Sequence, residues 1–369
     1  MSESQNIEYK ESWRDEYLKW ICGFANAQGG RIYIGINDKQ EIVGVADSKR
    51  LMEDIPNKIV NYLGIVADVN LLHSNEDKEF IEIVVEPSNV PIAYHGQYHY
   101  RSGSTKQEMK GTALQQFILK KMGRSWDDTT NDSAKLDDID RNAIDYFLRR
   151  AINAQRIAPS LNGEDTHNVL HNLRLLSEDG HLKNAAILLF GKEPLRFFPG
   201  VEFHIGRFGM NEADLIFQDV VENILQMADK VVALLRSKYL ISPIHYEGMQ
   251  RIEPLEIPED ALREMIYNSL VHKLYVGVPI QMWVFNDHIE LWNEGKLPDA
   301  ITIDTLVEKH SSHPRNQLVA SVFYKAGFIE SWGRGIRKIN EAFDKAGLER
   351  PVFKESEGGL LVTFGRNYP

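Results

Sequence analysis

The sequence is poor in the features that define several large classes of protein. It contains one cysteine, Cys22, among 369 residues, which excludes an internal disulfide framework and a zinc site built from several cysteines. Its longest apolar run, residues 185–190, is far shorter than the roughly 20 residues that a membrane-spanning helix needs. The opening residues, MSESQNIEYKESW, are polar and acidic and do not form a secretion signal. We therefore expect a cytoplasmic protein with no membrane partner.

The chain also lacks an excess of positive charge and a P-loop. It has 42 Lys and Arg against 53 Asp and Glu, a net charge of −11, so any nucleic-acid site must be a local patch. The pattern GxxxxGK(S/T) is absent, which rules out a P-loop ATPase or helicase motor. At roughly 100–200 residues per domain, the length predicts two or three domains.

Composition along the chain predicts where the domains end. The stretch RSWDDTTNDSAKLDDID, residues 124–140, carries six aspartates and few apolar residues, a pattern typical of a linker. We therefore predict an N-terminal domain at 1–124 and a linker at 125–140. A proline-containing segment near residue 254 predicts a middle domain at 141–254 and a C-terminal domain at 255–369. Helix and strand patterns are mixed throughout, which indicates a multidomain α+β fold.

Hydrophobic periodicity predicts the main elements. The predicted helices lie at 13–27, 141–155, 165–177 and along a stripe from Val220 to Leu234. The predicted strands lie at 31–37, 79–87, 182–191, 280–285, 288–293 and 359–364.

Three acidic residues of the N-terminal domain, Glu3, Glu8 and Asp38, are candidates for a metal site. Glu8 and Lys10 are two residues apart, so a strand would place both side chains on one face. Oxygen ligands hold Mg²⁺ or Mn²⁺ in metal-dependent phosphodiester cleavage, and a neighbouring lysine can steady the attacking water. The same residues are also compatible with an ordinary solvated surface.

Residues 95–124 form a locally basic segment with several tyrosines. Its candidate nucleic-acid ligands are Arg101, Ser102, Ser104, Lys106 and Lys110. Basic side chains neutralise phosphates and aromatic rings can stack on bases, while the run RSGST offers N–H groups and hydroxyls to one phosphate. The alternative is an ordinary hairpin with tyrosines in the core.

Four segments in order resemble the Schlafen AlbA-type domain, described as DNA-binding. They are ESQNIEYKES, FANAQGGRIYIGIND, EIVGV and YHYRSGST, within about residues 1–124. Eukaryotic members cleave RNA with three acidic residues, which implies Glu3, Glu8 and Asp38 as catalytic metal ligands, with Lys10 beside them. Those enzymes have a duplicated core and a zinc site that this chain lacks, so the resemblance implies either a Mg²⁺- or Mn²⁺-dependent nuclease or a domain that only binds DNA or RNA.

A helix predicted near the start of the C-terminal domain carries a polar stripe. In EDALREMIYNSLVHKLY, Glu264, Asn268 and His272 recur every four residues and span about 80° of the helix surface. Buried polar groups need partners, which a nucleotide and Mg²⁺ could supply. The alternative is a half-exposed helix with one polar side.

The order of motifs in this domain resembles the divergent GHKL-type ATPase domain. The segments are Glu264-x-x-x-Asn268, IELWNEGKLP (289–298), WGRGIRKI (332–339) and GGLLVTF (358–364). It resembles in particular the version that follows a Schlafen AlbA domain in RecG-like transcriptional regulators. The resemblance implies an α/β sandwich in which Glu264 is the general base and Asn268 binds Mg²⁺.

The resemblance also implies an ATP-binding set. Gly333 and Gly335 would open a helix N-terminus toward the phosphates. Asn293 and Gly295 stand where the family has a D-x-G-x-G box, and an asparagine can still accept a hydrogen bond from adenine. We therefore expect an ATP-gated nucleic-acid-binding protein in which ATP sets a conformational or homo-oligomeric state. The alternative is a non-catalytic transcriptional regulator with a nucleotide as effector.

Overall fold

A computed structural model describes residues 4–37, 39–209, 213–242, 245–247, 250–253, 255–298, 301–308, 312–330 and 333–366. The chain divides into two compact units, residues 1–124 and 125–369. The fold is mixed α/β, as the sequence predicts. Among the described residues, no helix combines the length and the apolarity that crossing a bilayer requires.

In its described part, the N-terminal unit combines a four-stranded sheet, a hairpin and three helices. In chain order these are β1 (Ile7–Lys10), α1 (Leu18–Asn26), β2 (Gly30–Ile34), α2 (Ser48–Leu63), β3 (Asp68–His73), β4 (Glu79–Val85), β5 (His99–Ser102), β6 (Thr105–Glu108) and α3 (Gly111–Lys121). The sheet order is β1-β2-β4-β3, with β1 parallel to β2 and the other pairs antiparallel. α1, α2, β2 and β4 contribute to a single apolar core.

A glycine pair fixes the tight connection from α1 to β2. Gly29 has φ +76°, a conformation that favours glycine. A Cβ on Gly29 would lie 2.6 Å from the carbonyl oxygen of Val85. β2 can therefore start immediately after the helix and pair in parallel with β1, which carries Glu8 and Lys10.

The second unit has eight helices and eight strands in its described part. In chain order these are α4 (Arg141–Asn153), α5 (Thr166–Asn172), α6 (Asn184–Phe190), β7 (Phe203–Phe208), β8 (Leu215–Val221), α7 (Met227–Leu234), β9 (His245–Glu247), β10 (Gln250–Ile252), α8 (Glu259–His272), β11 (Ile280–Val284), β12 (His288–Glu294), α9 (Ile303–Leu306), α10 (Gln317–Lys325), α11 (Gly335–Lys345), β13 (Val352–Ser356) and β14 (Gly359–Gly365).

One six-stranded sheet runs through this unit, in the order β13-β14-β12-β11-β7-β8. β7 pairs with β11 in parallel, and the remaining neighbours are antiparallel. Because strands before and after residue 254 share the sheet and one apolar core, the segments 141–254 and 255–369, predicted as separate domains, form a single unit.

Residues 125–140, predicted as a linker, belong to the folded unit. The Asp127 side chain is completely buried and accepts hydrogen bonds from the backbone N–H groups of Leu318 and Val319, at 2.8 and 2.9 Å. Asp128 forms an ion pair with Lys183 at 2.7 Å. The aspartates therefore satisfy donors inside the unit, which composition alone does not reveal.

Two predicted elements differ in the structure. Residues 184–190, predicted within a strand, form α6, whose seven residues are all buried. A uniformly buried run has no polar side, so its periodicity cannot separate helix from strand. The stripe from Val220 to Leu234 crosses an element boundary, because β8 ends at Val221 before α7 begins.

Candidate nucleotide site and nucleic-acid interface

The polar stripe of α8 lies on a cavity in the second unit. Glu264, Asn268 and His272 line this cavity from α8. Gly333, Arg334 and Gly335 line it at the start of α11, together with Val271, Ser312, Ala320, Ile329, Glu330 and Lys338. The cavity measures about 50 Å³, room for a few water molecules. The structure thus brings together five of the predicted ATP-site residues.

Glu264 is one of two carboxylates that line this cavity. Burial raises its pKa above the ordinary value, and the charge of Lys338 opposes part of that shift. The Nδ2 atom of Asn268 lies 3.5 Å from Glu264 Oε1. A carboxyl group with a raised pKa beside a polar amide has the character of a general base.

The N-terminus of α11 is held directly against α8. A Cβ on Gly335 would lie 2.3 Å from Glu264 Oε1 and 3.0 Å from Asn268 Nδ2. Glycine therefore allows this approach, whereas a Cβ here would displace the ends of the Glu264 and Asn268 side chains. The helix has eleven residues and no side-chain cap at its N-terminus. Its first N–H groups and its dipole favour an anion at this end.

Three charged groups complete the cavity and were not singled out from the sequence. Glu330 forms ion pairs with Lys338 at 2.7 Å and with Arg334 at 3.3 Å. Lys338 lies one turn into α11. The sequence signal that could have identified it as a site residue is its spacing of three residues from Gly335. Two cations and one carboxylate, besides Glu264, therefore surround the end of α11.

Asn293 and Gly295, the other two predicted ATP-site residues, do not line this cavity. Asn293 lies on β12, and its Nδ2 donates to the carbonyl oxygen of Ser269 at 3.1 Å. Its Oδ1 is buried without a hydrogen-bond partner in the described parts of the chain. Gly295 instead makes room for Arg315, whose Nε donates to the His272 carbonyl oxygen at 2.9 Å.

In the N-terminal unit, Glu8 is buried between two cations. Glu8 is 1% exposed, and its carboxylate lies 2.5 Å from Lys10 Nζ and 2.7 Å from Arg101 Nη1. The spacing of Glu8 and Lys10 on β1 does place both side chains on one face, as expected.

The prediction that Arg101 is a phosphate ligand is wrong, because its side chain is inaccessible. It is 0% exposed, and it donates to the carbonyl oxygens of Ser4 and Ile7 at 2.9 and 3.3 Å. It neutralises Glu8 and ties β5 to the segment that enters β1. Basic character in the sequence does not distinguish a buried guanidinium from an exposed one.

Trp20, an aromatic residue of α1, faces several cations. The ring centroid of Trp20 lies 5.3 Å from Lys10 Nζ, 5.9 Å from Lys106 Nζ and 4.8 Å from the Arg101 guanidinium. Burial lowers the pKa of Lys106, and the charge of Lys19 acts in the same direction. We call Trp20, Lys10 and Lys106 the tryptophan platform.

The remaining predicted nucleic-acid residues lie at and after the hairpin of β5 and β6. Ser102 and Ser104 are exposed at its turn, where Gly103 has φ +57°. Lys110 lies beyond β6, directly before α3, where it is exposed and forms an ion pair with Glu108 at 3.3 Å. The hairpin turn therefore presents two hydroxyl groups on the strand pair that carries Lys106 of the tryptophan platform.

Glu3 and Asp38, the other two predicted metal ligands, lie outside the described residues. Among the residues that are described, no group of three or more His, Cys, Asp or Glu side chains could hold a metal ion. The described neighbours of Glu8 are cations, so they do not fit a metal centre.

Three family models match successive parts of the chain. Residues 3–110 match the family described as "Schlafen, AlbA_2". Residues 115–203 match a domain of unknown function, and residues 277–364 match the family described as "Putative ATP-dependent DNA helicase recG C-terminal". No curated protein matches the chain.

Solved structures are similar as well, among them the following two. The DIP2311 protein from Corynebacterium diphtheriae has 18% identity and a TM-score of 0.53, with 99% of this chain and 76% of that chain covered. The N-terminal domain of a protein described as a "Putative ATP-dependent DNA Helicase RecG-related Protein", from Nitrosomonas europaea, has 20% identity and a TM-score of 0.22. That match covers 30% of this chain and 86% of the other. The first likeness supports the fold. The family matches occur in the order that the sequence predicts, with Schlafen AlbA_2 first and the RecG C-terminal family last.

Proposed function

We propose that this chain is a nucleic-acid-binding protein whose binding state is set by ATP. The observation that carries the proposal is the approach of Gly335 to Glu264 and Asn268, which places an uncapped helix N-terminus beside a carboxyl group with a raised pKa. The family match at residues 277–364 supports an ATPase-like domain, and the match at residues 3–110 supports a nucleic-acid-binding one.

The residues of the α8–α11 cavity fit a triphosphate and one metal ion. Lys338, Arg334 and the α11 N-terminus are suited to phosphate oxygens. Asn268 supplies one amide oxygen, and Mg²⁺ commonly takes only one or two protein ligands beside phosphates and water. A Mg²⁺ ion bound there would neutralise part of the phosphate charge. The orphaned Oδ1 of Asn293 has no described donor and is suited to the amino group of adenine, but Asn293 is buried outside this cavity, so it can meet the base only after the site opens.

Hydrolysis needs a base for the attacking water, and we propose Glu264 for that role. The carboxylate accepts a proton from water as the oxygen attacks the γ-phosphorus, and the bond from that phosphorus to the bridging oxygen of ADP breaks. Lys338 and Arg334 compensate the charge on the departing oxygens. The cavity is far smaller than the roughly 300–1,000 Å³ of typical ligand sites, so we expect α11 and its flanking segments to move when ATP binds.

In the N-terminal unit we propose that the tryptophan platform and the hairpin turn contact nucleic acid. A tryptophan ring flanked by Lys10 and Lys106 can stack on an unpaired base while the ammonium groups contact phosphates. Ser102 and Ser104 can donate to one phosphate. Because Glu8 is neutralised by two cations, this geometry favours binding over Mg²⁺- or Mn²⁺-dependent cleavage.

The second candidate function is a transcriptional regulator that binds a nucleotide without hydrolysing it. The amide of Asn293, in place of the aspartate expected from the GHKL family, favours weak or altered base recognition. Phosphate release separates the two candidates, because only the first predicts turnover.

The test pairs equilibrium binding of a fluorescent ATP analogue with phosphate release. Asn268→Ala should lose nucleotide binding, whereas Glu264→Gln should keep binding and lose about 10²–10⁴-fold in hydrolysis rate. Wild-type protein that binds no analogue at millimolar Mg²⁺ would refute the ATP proposal.

Incubation with single-stranded and duplex nucleic acids and Mg²⁺ or Mn²⁺ tests cleavage. Product bands would restore the nuclease hypothesis.

A further inference from the structure

A second, larger cavity lies in the same unit, in a part of the chain to which neither proposed activity is assigned. It has a volume of about 290 Å³. It is lined by Ser125, Asp128, Arg174, Lys183, Gln317 and Leu318. None of these residues lines the α8–α11 cavity.

The lining carries an excess of positive charge. Lys183 is half-buried and neutralises Asp128 at 2.7 Å, which leaves Arg174 as the surplus cation. Within the described ranges, the Arg174 guanidinium has neither an ion pair nor a hydrogen bond to a protein group. The amide of Gln317 adds a further donor beside these two cations. An oxyanion would balance this lining.

The backbone at Arg174 holds the arginine in an unfavourable conformation. Arg174 has φ +61° at the end of α5, where the Leu175 N–H donates to the Leu170 carbonyl oxygen at 2.8 Å and the Arg174 N–H donates to that of His171 at 2.9 Å. This hydrogen-bond pattern is the Schellman motif, and glycine is the usual residue at its left-handed position.

The same motif ends other helices of the chain. Gly123, Gly327 and Gly347 hold its left-handed position after α3, α10 and α11, and Gln155 holds it after α4 with φ +56°. At the end of α5 an arginine occupies this strained position, which borders the cavity. Strained residues of this kind cluster at binding sites.

We propose that this cavity binds the phosphate or carboxylate group of a small molecule, with Arg174 and Lys183 as its charged ligands. A guanidinium offers two parallel donors to such a group, and an ammonium offers a further point charge. The inference is independent of the proposed ATP site.

The test is the thermal unfolding of the full chain with inorganic phosphate, malonate, or sodium chloride at matched ionic strength. We expect phosphate or malonate to raise Tm by about 5 °C at one hundred times its Kd, and chloride to have no such effect. A shift with phosphate alone identifies a phosphate site, and a shift with malonate alone identifies a carboxylate site. No shift with either anion, or an equal shift with chloride, would overturn the proposal.

Arg174→Gly is the decisive variant, because it removes the ligand and also relieves the backbone strain. We expect its Tm without added anion to be unchanged or raised, and the anion-induced shift to be lost. Gln155→Gly is the matched control: Gln155 has φ +56° in the same motif at the end of α4 and should keep the shift. Lys338→Met, in the α8–α11 cavity, should also keep it. A shift that survives in Arg174→Gly but disappears in Lys338→Met would place the anion in the α8–α11 cavity and refute this proposal.

Discussion

At the scale of single residues, the chemistry of the second unit depends on the environment of Glu264. Burial raises the pKa of this carboxyl group, so the folded state holds its proton more tightly than the unfolded state does. Protonated Glu264 therefore contributes to the free energy of unfolding, and this contribution is fully present at pH below the ordinary carboxyl pKa. It is lost as pH rises through the raised pKa of the folded protein.

Glu264→Gln should therefore stabilise the protein at neutral pH, because glutamine carries no charge that burial penalises. The gain should shrink as pH falls toward 4, where the wild-type carboxyl group is itself protonated. Urea unfolding of both proteins at pH 4 and at pH 7 measures the difference. A glutamine variant less stable than the wild type at pH 7 would contradict the assignment of Glu264 as a half-buried base that lowers the stability of the protein.

Arg101 gives a second prediction at this scale. Removing one partner of a buried ion pair leaves the other charge uncompensated, so Arg101→Ala should lower the free energy of unfolding of the N-terminal unit by about 3–5 kcal/mol. Replacing both partners, as in Glu8→Gln with Arg101→Met, should recover much of that loss. Urea unfolding followed by tryptophan fluorescence detects this unit, since Trp20 contacts the guanidinium.

Lys110→Ala is the control for the Arg101 variant. Lys110 pairs with Glu108, but its side chain is 74% exposed, and exposed pairs contribute about 0–1 kcal/mol. If Arg101→Ala were as mild as Lys110→Ala and weakened nucleic-acid binding instead, Arg101 would be a surface ligand after all.

At the scale of elements, the contact between α8 and α11 carries the proposed function. Gly335→Ala should weaken binding of a fluorescent ATP analogue at least tenfold, because the added methyl group would collide with Glu264 and Asn268. Alanine normally favours a helix over glycine by about 0.5–1 kcal/mol. If the start of α11 had no role in nucleotide binding, the same substitution would therefore stabilise the helix.

Gly365→Ala controls for the loss of a glycine, since no atom lies within 4 Å of a Cβ at that position, and we expect it to bind the analogue normally. Equal affinity of Gly335→Ala and Gly365→Ala would show that the tight approach of α11 has no role in nucleotide binding.

The sequence predicted those elements whose polar and apolar residues alternate with a clear period. α8 was found because Glu264, Asn268 and His272 interrupt an otherwise apolar helix at intervals of four, and they face one cavity in the structure. α6 was missed because all of its residues are buried. Lys338 was missed because a lone lysine one turn into a helix resembles any solvated lysine until α11 is placed against Glu330.

At the scale of the whole molecule, a net charge of −11 requires nucleic-acid binding to be local and electrostatic. The affinity should fall linearly with the logarithm of salt concentration as phosphate contacts release counterions. Lys106→Ala should reduce that slope by about 0.7–0.9. Fluorescence anisotropy with a labelled single strand at several salt concentrations measures it.

Lys49→Ala, which removes an exposed lysine from α2, should leave both the affinity and the slope unchanged. A slope that Lys106→Ala does not alter would place the phosphate contacts away from the tryptophan platform.

The order of the two recognisable domains could be read from the sequence, because their motifs are local runs of residues. The joining of the middle segment to the C-terminal sheet could not, since it depends on the parallel pairing of β7 with β11 across more than seventy residues. The aspartates of 125–140 looked like a linker for a similar reason: the donors that Asp127 satisfies lie on α10, far along the chain.

The central claim is that ATP changes how this protein binds nucleic acid. The most direct test is the Kd of the wild-type protein for a labelled single strand, measured with and without a non-hydrolysable ATP analogue and Mg²⁺. Thermodynamic coupling between two sites commonly changes an affinity about 5–150-fold. We predict a change in this range for the wild type and none for Asn268→Ala. An identical Kd with and without the analogue, in a wild-type protein that binds both ligands, would contradict the account.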